Sequence, residues 1–215
     1  MKSNKVENFK QKFLLTCVNH VPFDGWTVKS INLSLKELNF SKQEFKNHFP
    51  KGIRDLVKYY LEDSDNKMVL KYKKNKNTNS PIHLKIKEMI LIKLQQSQNQ
   101  KDVVRKTLFW LGLPKNSKIA LMSLYNTVDL IWREAGDRST DFNFYSKRAI
   151  LSSVYSSTLL AFLGDNNPDL DKTEKFLDRR LKDVSKIPKL ITPVKNFSNV
   201  FFNLAKGFNN KYARD

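Results

Sequence analysis

Cysteine occurs once in this chain, at Cys17, so no internal disulfide framework exists and the composition suits a reducing compartment. Glycine occurs 6 times and proline 7 times in 215 residues. A many-stranded β architecture needs more frequent turns than those residues supply, so the scarcity points to helices. The 3 histidines, His20, His48 and His83, show no metal-ligand spacing with carboxylates. Cys17 and His20 share a helix face, but two ligands do not make a zinc site. No glycine-rich phosphate loop and no nucleophile elbow is present. No stretch of about 18 apolar residues occurs, so nothing reads as a membrane span. The first twenty residues lack an apolar signal core and carry Glu7 but no arginine, so neither a secretory signal nor a mitochondrial presequence is expected there. These absences argue against an enzyme, and neither cofactor nor metal is expected.

Acidic residues are also scarce: 21 against 39 Lys and Arg, a formal net charge of +18. That balance favours anionic partners, nucleic acid or an anionic membrane surface. Lysine enrichment of compositional origin raises the charge equally well, so charge alone decides nothing. With 40% hydrophobic and 28% charged residues, the chain is long enough and apolar enough to bury a core.

Apolar positions recur at helical spacing almost throughout. A first helix is expected over residues 4–21, ended by the turn at Pro22 to Trp26. Thr27 caps a second, to about Leu38. Ser41, with Glu44 three residues on, forms a capping box for a third that stops near His48. A fourth spans about 52–62, and the polar stretch 62–80 reads as a connection. Ser80-Pro81 opens a fifth. Four more follow at about 101–111, 117–135, 143–163 and 171–186. Three parts result: 1–64, 65–187 and a tail, 188–215.

The short helices on either side of residue 40 make a helix-turn-helix, with Lys42, Gln43, Lys46 and Asn47 placed to meet DNA. His48 is expected to be a packing residue. The run Ser41, Phe45, His48, Phe49, Pro50 resembles the N-terminal domain of TetR-family repressors. A helix-turn-helix can persist as a packing unit without touching DNA.

Three blocks carry a second resemblance. The first is Val21-Pro22-Phe23-Asp24-Gly25-Trp26-Thr27. The second runs Ala135-Gly136-Asp137-Arg138-Ser139-Thr140-Asp141-Phe142-Asn143-Phe144-Tyr145. The third is Phe176-Leu177-Asp178-Arg179-Arg180-Leu181. In this order they resemble the Coq-nine family of accessory proteins in ubiquinone biosynthesis, over residues 10–187. That resemblance implies an all-α, TetR-like fold that is usually dimeric and carries a lipid between helices of its larger domain. It implies presentation of a polyprenylated quinone precursor to a di-iron hydroxylase. The matching partner contact here is Asp129, Trp132 and Arg133, where some relatives carry an aromatic in place of Arg133.

Read from the residues alone, Asp137 to Asp141 form a polar turn capping the next helix, with Ser139, Thr140 and Asn143 as competing caps. Arg138, Lys147 and Arg148 are placed to pair with Asp137 and Asp141. The helix over 143–163 is apolar on more than one face, which suits a central, buried element. If a lipid lies in this bundle, Phe109, Trp110, Leu124, Val128, Phe144, Leu151, Val154 and Leu159 are the expected lining. Aromatic and aliphatic residues at this spacing are equally core residues, so the lipid rests on the resemblance.

In the tail, Leu190, Val194, Phe197, Phe201, Leu204 and Phe208 recur every three or four residues, and Phe202 widens the stripe. An amphipathic helix of this kind suits a membrane surface, or packing within its own assembly. The expected protein is therefore a non-enzymatic lipid-binding accessory. Its partners would be an isoprenoid quinone precursor, a di-iron hydroxylase, a membrane surface and a second copy. It would work peripherally on the bacterial inner membrane from the cytoplasm, or on the matrix side in a eukaryote. The alternative is a TetR-like DNA-binding regulator with a hydrophobic effector; DNA is the less expected partner.

Overall fold

A computed structural model describes residues 2–75, 80–139 and 142–186. Its described residues form nine α-helices and no strand. The chain divides into two compact units. One comprises Met1–Asn66 with Ser97–Ser123; the other comprises Lys67–Gln96 with the described residues from Leu124 on. The first boundary falls two residues from the expected one. The segment 97–123, expected in the second domain, groups instead with the first.

In the first unit, α1 (Lys2–Asp24) buries Phe13, Leu14, Cys17, Val18 and Val21, one helical stripe, and packs on α2 and α6. Pro22 lies inside its last turn and does not end it. Proline's fixed φ suits a helix, and so late in the helix the missing N–H forfeits one bond. Gly25, at φ 69°, ends the helix by donating to the Val21 carbonyl at 2.8 Å. Thr27 caps α2 (Val28–Leu38), where its side chain and Ser30 bond each other's backbone. Asn39 closes α2 at φ 54°, a left-handed conformation that asparagine tolerates. Ser41 and Glu44 form the same reciprocal cap on α3 (Lys42–His48). Phe45, Phe49, Leu56 and Val57 complete this core with Trp26, Val103 and Trp110.

Helix α4 (Ile53–Asn75) corrects the sequence reading, because it continues through the stretch expected as a connection. Its inward positions there are Asp65, Met68 and Tyr72, one per turn, all buried. Only two of these three are apolar, and exposed Glu62, Lys67, Lys71 and Lys74 around them dilute the pattern. Lys73 then pairs with Glu134 at 2.9 Å, fixing the end of α4 within the second unit.

The remaining helices are α5 (Ile82–Gln96), α6 (Lys101–Gly112), α7 (Ser117–Ala135), α8 (Phe142–Gly164) and α9 (Asp171–Lys186). These match the expected spans to within a residue or two. In the second unit α8 packs on α5 and α9, and α5 on α9. Met68, Tyr72, Met89, Ile90, Val128, Ile131, Leu151, Val154, Phe162 and Leu177 form its core. α8 is not buried all round, since Ser153 and Leu160 face solvent. Buried Asp165 joins α8 to α9 by accepting from the Thr173 amide and hydroxyl at 2.9 and 2.8 Å.

Candidate functional site

The Ala135–Tyr145 block builds a corner between α7 and α8. Gly136 (φ 98°) donates to the Arg133 carbonyl at 3.0 Å, and the Asp137 amide donates to the Trp132 carbonyl at 3.0 Å. These two bonds close the helix as a Schellman cap, which requires a positive φ at Gly136. The turn aims the Asp137 carboxylate back into the unit, where it is only 4% exposed.

Arg148, on the second turn of α8, meets it there and is 1% exposed. Its Nη1 donates to Asp137 Oδ2 at 3.2 Å and to the Phe144 carbonyl at 3.0 Å. Its Nε donates to Asp129 Oδ1 at 2.7 Å. The guanidinium also lies 3.3 Å from the Phe144 ring centroid. A buried cation needs this many partners, because desolvation is otherwise unrepaid. Lys147 Nζ donates to Asp137 Oδ1 at 2.7 Å, and the Ser139 hydroxyl donates to both Asp137 oxygens, at 2.9 and 2.8 Å. Burial opposes ionisation of Asp137, but donation from Lys147, Ser139 and Arg148 outweighs it and holds the carboxyl at about 2.

The expected pairing of Lys147 and Arg148 with Asp137 is thus present. Arg148 serves as a buried tie between α7 and α8, and the sequence reading did not anticipate its burial. The Ser139 hydroxyl is committed to Asp137. Thr140 and Asp141 lie outside the described residues.

Of the three partner-contact residues, Asp129 is shared between Arg148 and Arg133, whose Nε reaches Asp129 Oδ2 at 2.9 Å. Trp132 is half-buried against the core; its indole N–H donates to the Lys147 carbonyl at 3.1 Å, and Lys147 Nζ stands 5.4 Å from its ring. Arg133 is 64% exposed and is the most accessible of the three. Truncating Trp132 would disturb the α7–α8 corner itself, so it cannot report on partner binding alone.

The expected lipid-lining residues fall into three groups. Val128, Leu151 and Val154 are buried in the second unit's core, with Leu124 and Leu159 partly buried against it and Phe144 under Arg148. Trp110 belongs to the first unit's core. Phe109 is 73% exposed, because the inward positions of α6 are Val103, Val104, Thr107 and Trp110. The six membrane residues, Leu190, Val194, Phe197, Phe201, Phe202 and Phe208, lie outside the described residues.

The first unit carries its own features. The Trp26 indole donates to the Thr107 hydroxyl at 2.8 Å, tying the α1–α2 turn to α6. Phe9 stacks on Phe40 and His48, with centroids 4.6 and 4.2 Å away, so His48 is the packing residue expected. A groove of about 520 Å³ opens here, lined by Val6, Phe9, Lys12, Phe40, Glu44 and His48, among others. Lys42, Gln43, Lys46 and Asn47 are exposed on α3, with Gln43 donating to Asn47 at 3.0 Å. Among the described residues, no group of three or more His, Cys, Asp and Glu could hold a metal ion. No helix among them is long and apolar enough to cross a membrane.

Residues 118–188, which include this corner, match the family model described as COQ9. Over 200 residues the chain is 26% identical to the ubiquinone biosynthesis protein COQ9, mitochondrial, of Rattus norvegicus, covering 88% of this chain and 63% of that one. The Homo sapiens protein of the same name is 27% identical over 210 residues, covering 88% and 62%. The Drosophila melanogaster one is 25% identical over 205 residues, covering 93% and 62%. The chain therefore spans less than two thirds of these relatives' length. Among solved structures, a TetR transcriptional regulator from Nitrosomonas europaea superposes with a TM-score of 0.67 at 18% identity, covering 83% of this chain and 98% of that one. That likeness is one of fold. In sequence the chain is similar to the COQ9 proteins of ubiquinone biosynthesis, and in its all-helical fold to a TetR regulator.

Proposed function

We propose that this chain is a non-enzymatic, lipid-binding accessory of ubiquinone biosynthesis that presents a polyprenyl quinone precursor to a di-iron hydroxylase. The observation that carries this reading is the COQ9 match over residues 118–188, the stretch that builds the α7–α8 corner, supported by the likeness to COQ9 relatives over 200 and 210 residues. The lipid would lie among Leu124, Val128, Phe144, Leu151, Val154 and Leu159 of the second unit. The quinone head group would be offered to a hydroxylase docked at α7, where Arg133 supplies the exposed contact and Asp129 orients it. The amphipathic pattern of residues 188–215 supports peripheral membrane attachment. Relatives named as mitochondrial support a mitochondrial location in a eukaryote, where the proposed seat is the matrix face of the inner membrane; in a bacterium the proposed seat is the cytoplasmic face. A homodimer is part of the proposal.

The test is the affinity of the full chain for the hydroxylase, compared with Arg133→Glu. Reversing an exposed contact charge should weaken binding by at least about tenfold, which is 1.4 kcal/mol. Unchanged affinity would remove α7 from the docking surface.

A second reading, a TetR-like DNA-binding regulator, is favoured by the four exposed polar residues of α3. Selective binding of one duplex sequence at physiological salt would establish it. Binding at low salt would not, because a chain of +18 attracts any polyanion.

A further inference from the structure

Residues 176–181 and the helix that bears them take no part in the function proposed above, and α9 has two contrasting faces. Thr173 and Leu177 are buried, and Leu181 is partly so. On the other side Lys172, Lys175, Arg179 and Lys182 are all exposed. Their spacings of three, four and three residues gather them within about 80° of arc and about 15 Å of helix axis.

The acidic side chains of α9 are drawn away from this stripe. Glu174 and Asp178 both turn to Lys87 of α5, at 2.8 and 2.7 Å. Asp183 pairs with Arg180 at 2.9 Å. Asp171 stands in the first turn, where the helix dipole favours an anion. The half-buried Phe176 flanks the cations, with the Arg179 and Arg180 guanidinium carbons 5.8 and 5.4 Å from its ring centroid. The helix thus presents four cations in one row beside an aromatic edge.

We propose that this face of α9 is a docking surface for an anionic phospholipid bilayer, seating the second unit on the membrane independently of the tail. It rests on the reading above that the protein works at a membrane. A second copy does not suit the surface, because a twofold contact would oppose the row of cations to itself. Duplex DNA would engage the cations but leave Phe176 without an apolar environment. A bilayer offers anionic head groups and an apolar boundary together, and the sequence running on from Pro188 carries more aromatics at helical spacing. Each Lys or Arg at such a surface strengthens binding about fivefold, an effect screened by salt.

The experiment is co-sedimentation of the full chain with phosphatidylcholine vesicles, with and without phosphatidylglycerol. The parent is compared with K172Q/K175Q/R179Q and with a charge-matched control, K42Q/K46Q/K51Q. The first variant should lose partitioning onto phosphatidylglycerol vesicles by on the order of a hundredfold at low salt, three steps of about fivefold. The gap should close as salt rises, with thermal unfolding unchanged. The control should sediment close to the parent. The proposal is overturned if the α9 variant sediments like the parent, or if both variants lose binding equally, which would assign it to net charge. Loss of duplex DNA binding with vesicle binding intact also overturns it, as does a parent that ignores phosphatidylglycerol. Hydroxylase affinity of the α9 variant should match the parent, so a failure here and a failure of the presentation reading are separately visible.

Discussion

Replacing Asp137 by Asn removes the charge at the centre of the α7–α8 corner with little change in shape. The magnitude follows from the carboxyl standing at about 2 rather than the ordinary 3.8. At 1.36 kcal/mol per unit, that depression contributes about 2.4 kcal/mol of stability at neutral pH. The folded-state pKa is the lower one, so the contribution is fully present above pH 3.8 and is lost as pH falls through about 2. The same relation leaves about 1.3 kcal/mol at pH 3 and about 0.4 kcal/mol at pH 2. Denaturant unfolding of the parent and of Asp137→Asn, measured from pH 7 to pH 2, isolates this effect in their difference. The variant also loses a pH-independent amount, because Lys147 and the buried Arg148 keep their charges with one anion fewer. The difference should therefore shrink by about 2 kcal/mol on acidification without vanishing. A difference that stays flat from pH 6 to pH 2 would refute the ionised, multiply bonded Asp137.

Two further outcomes follow from the same corner. Gly136→Ala should cost about 1 kcal/mol, because its φ of 98° is strained for an L side chain although a Cβ there meets nothing within 4 Å; Gly112→Ala, where a Cβ has the same room and φ is not positive, should be neutral or slightly stabilising, and equal effects in chemical denaturation would contradict the Schellman assignment. Arg133→Glu, the docking variant, should change thermal stability little, since an exposed i,i+4 pair such as Arg133–Asp129 contributes at most about 0.5 kcal/mol; a large drop would make Arg133 part of the buried tie.

What was legible in the sequence depended on how local the cause was. Thr27 with Ser30, and Ser41 with Glu44, fix the starts of α2 and α3 within three residues, so those boundaries could be read directly. The run 62–75 hid a helix because its inward face carries one acid and two apolar residues amid lysines, and a core formed by distant helices supplies the missing driving force. Pro22 misled because it stands two residues before the helix end, so the backbone bond it forfeits interrupts no further turn. The Trp26–Thr107 bond spans 81 residues and leaves no local trace.

The corner was half legible. Asp137, Lys147 and Arg148 could be paired by proximity in the chain, but nothing local announced that Arg148 is buried or that Asp129, nineteen residues before it, is its other partner. The lining residues show the limit of periodicity. Phe109 is large and apolar yet faces solvent, since Thr107 and Trp110 hold the inward positions of α6.

Native mass spectrometry with lipid extraction, on the full chain purified from a host that makes ubiquinone, tests lipid presentation most directly. The protein should carry a quinone, a quinone precursor or another isoprenoid, one per chain, and the ligand should be lost when Val128 and Val154 are both enlarged to Phe in a variant that still folds. A parent that arrives empty and binds a single duplex sequence at physiological salt would contradict lipid presentation and make the helix-turn-helix the working part of the molecule.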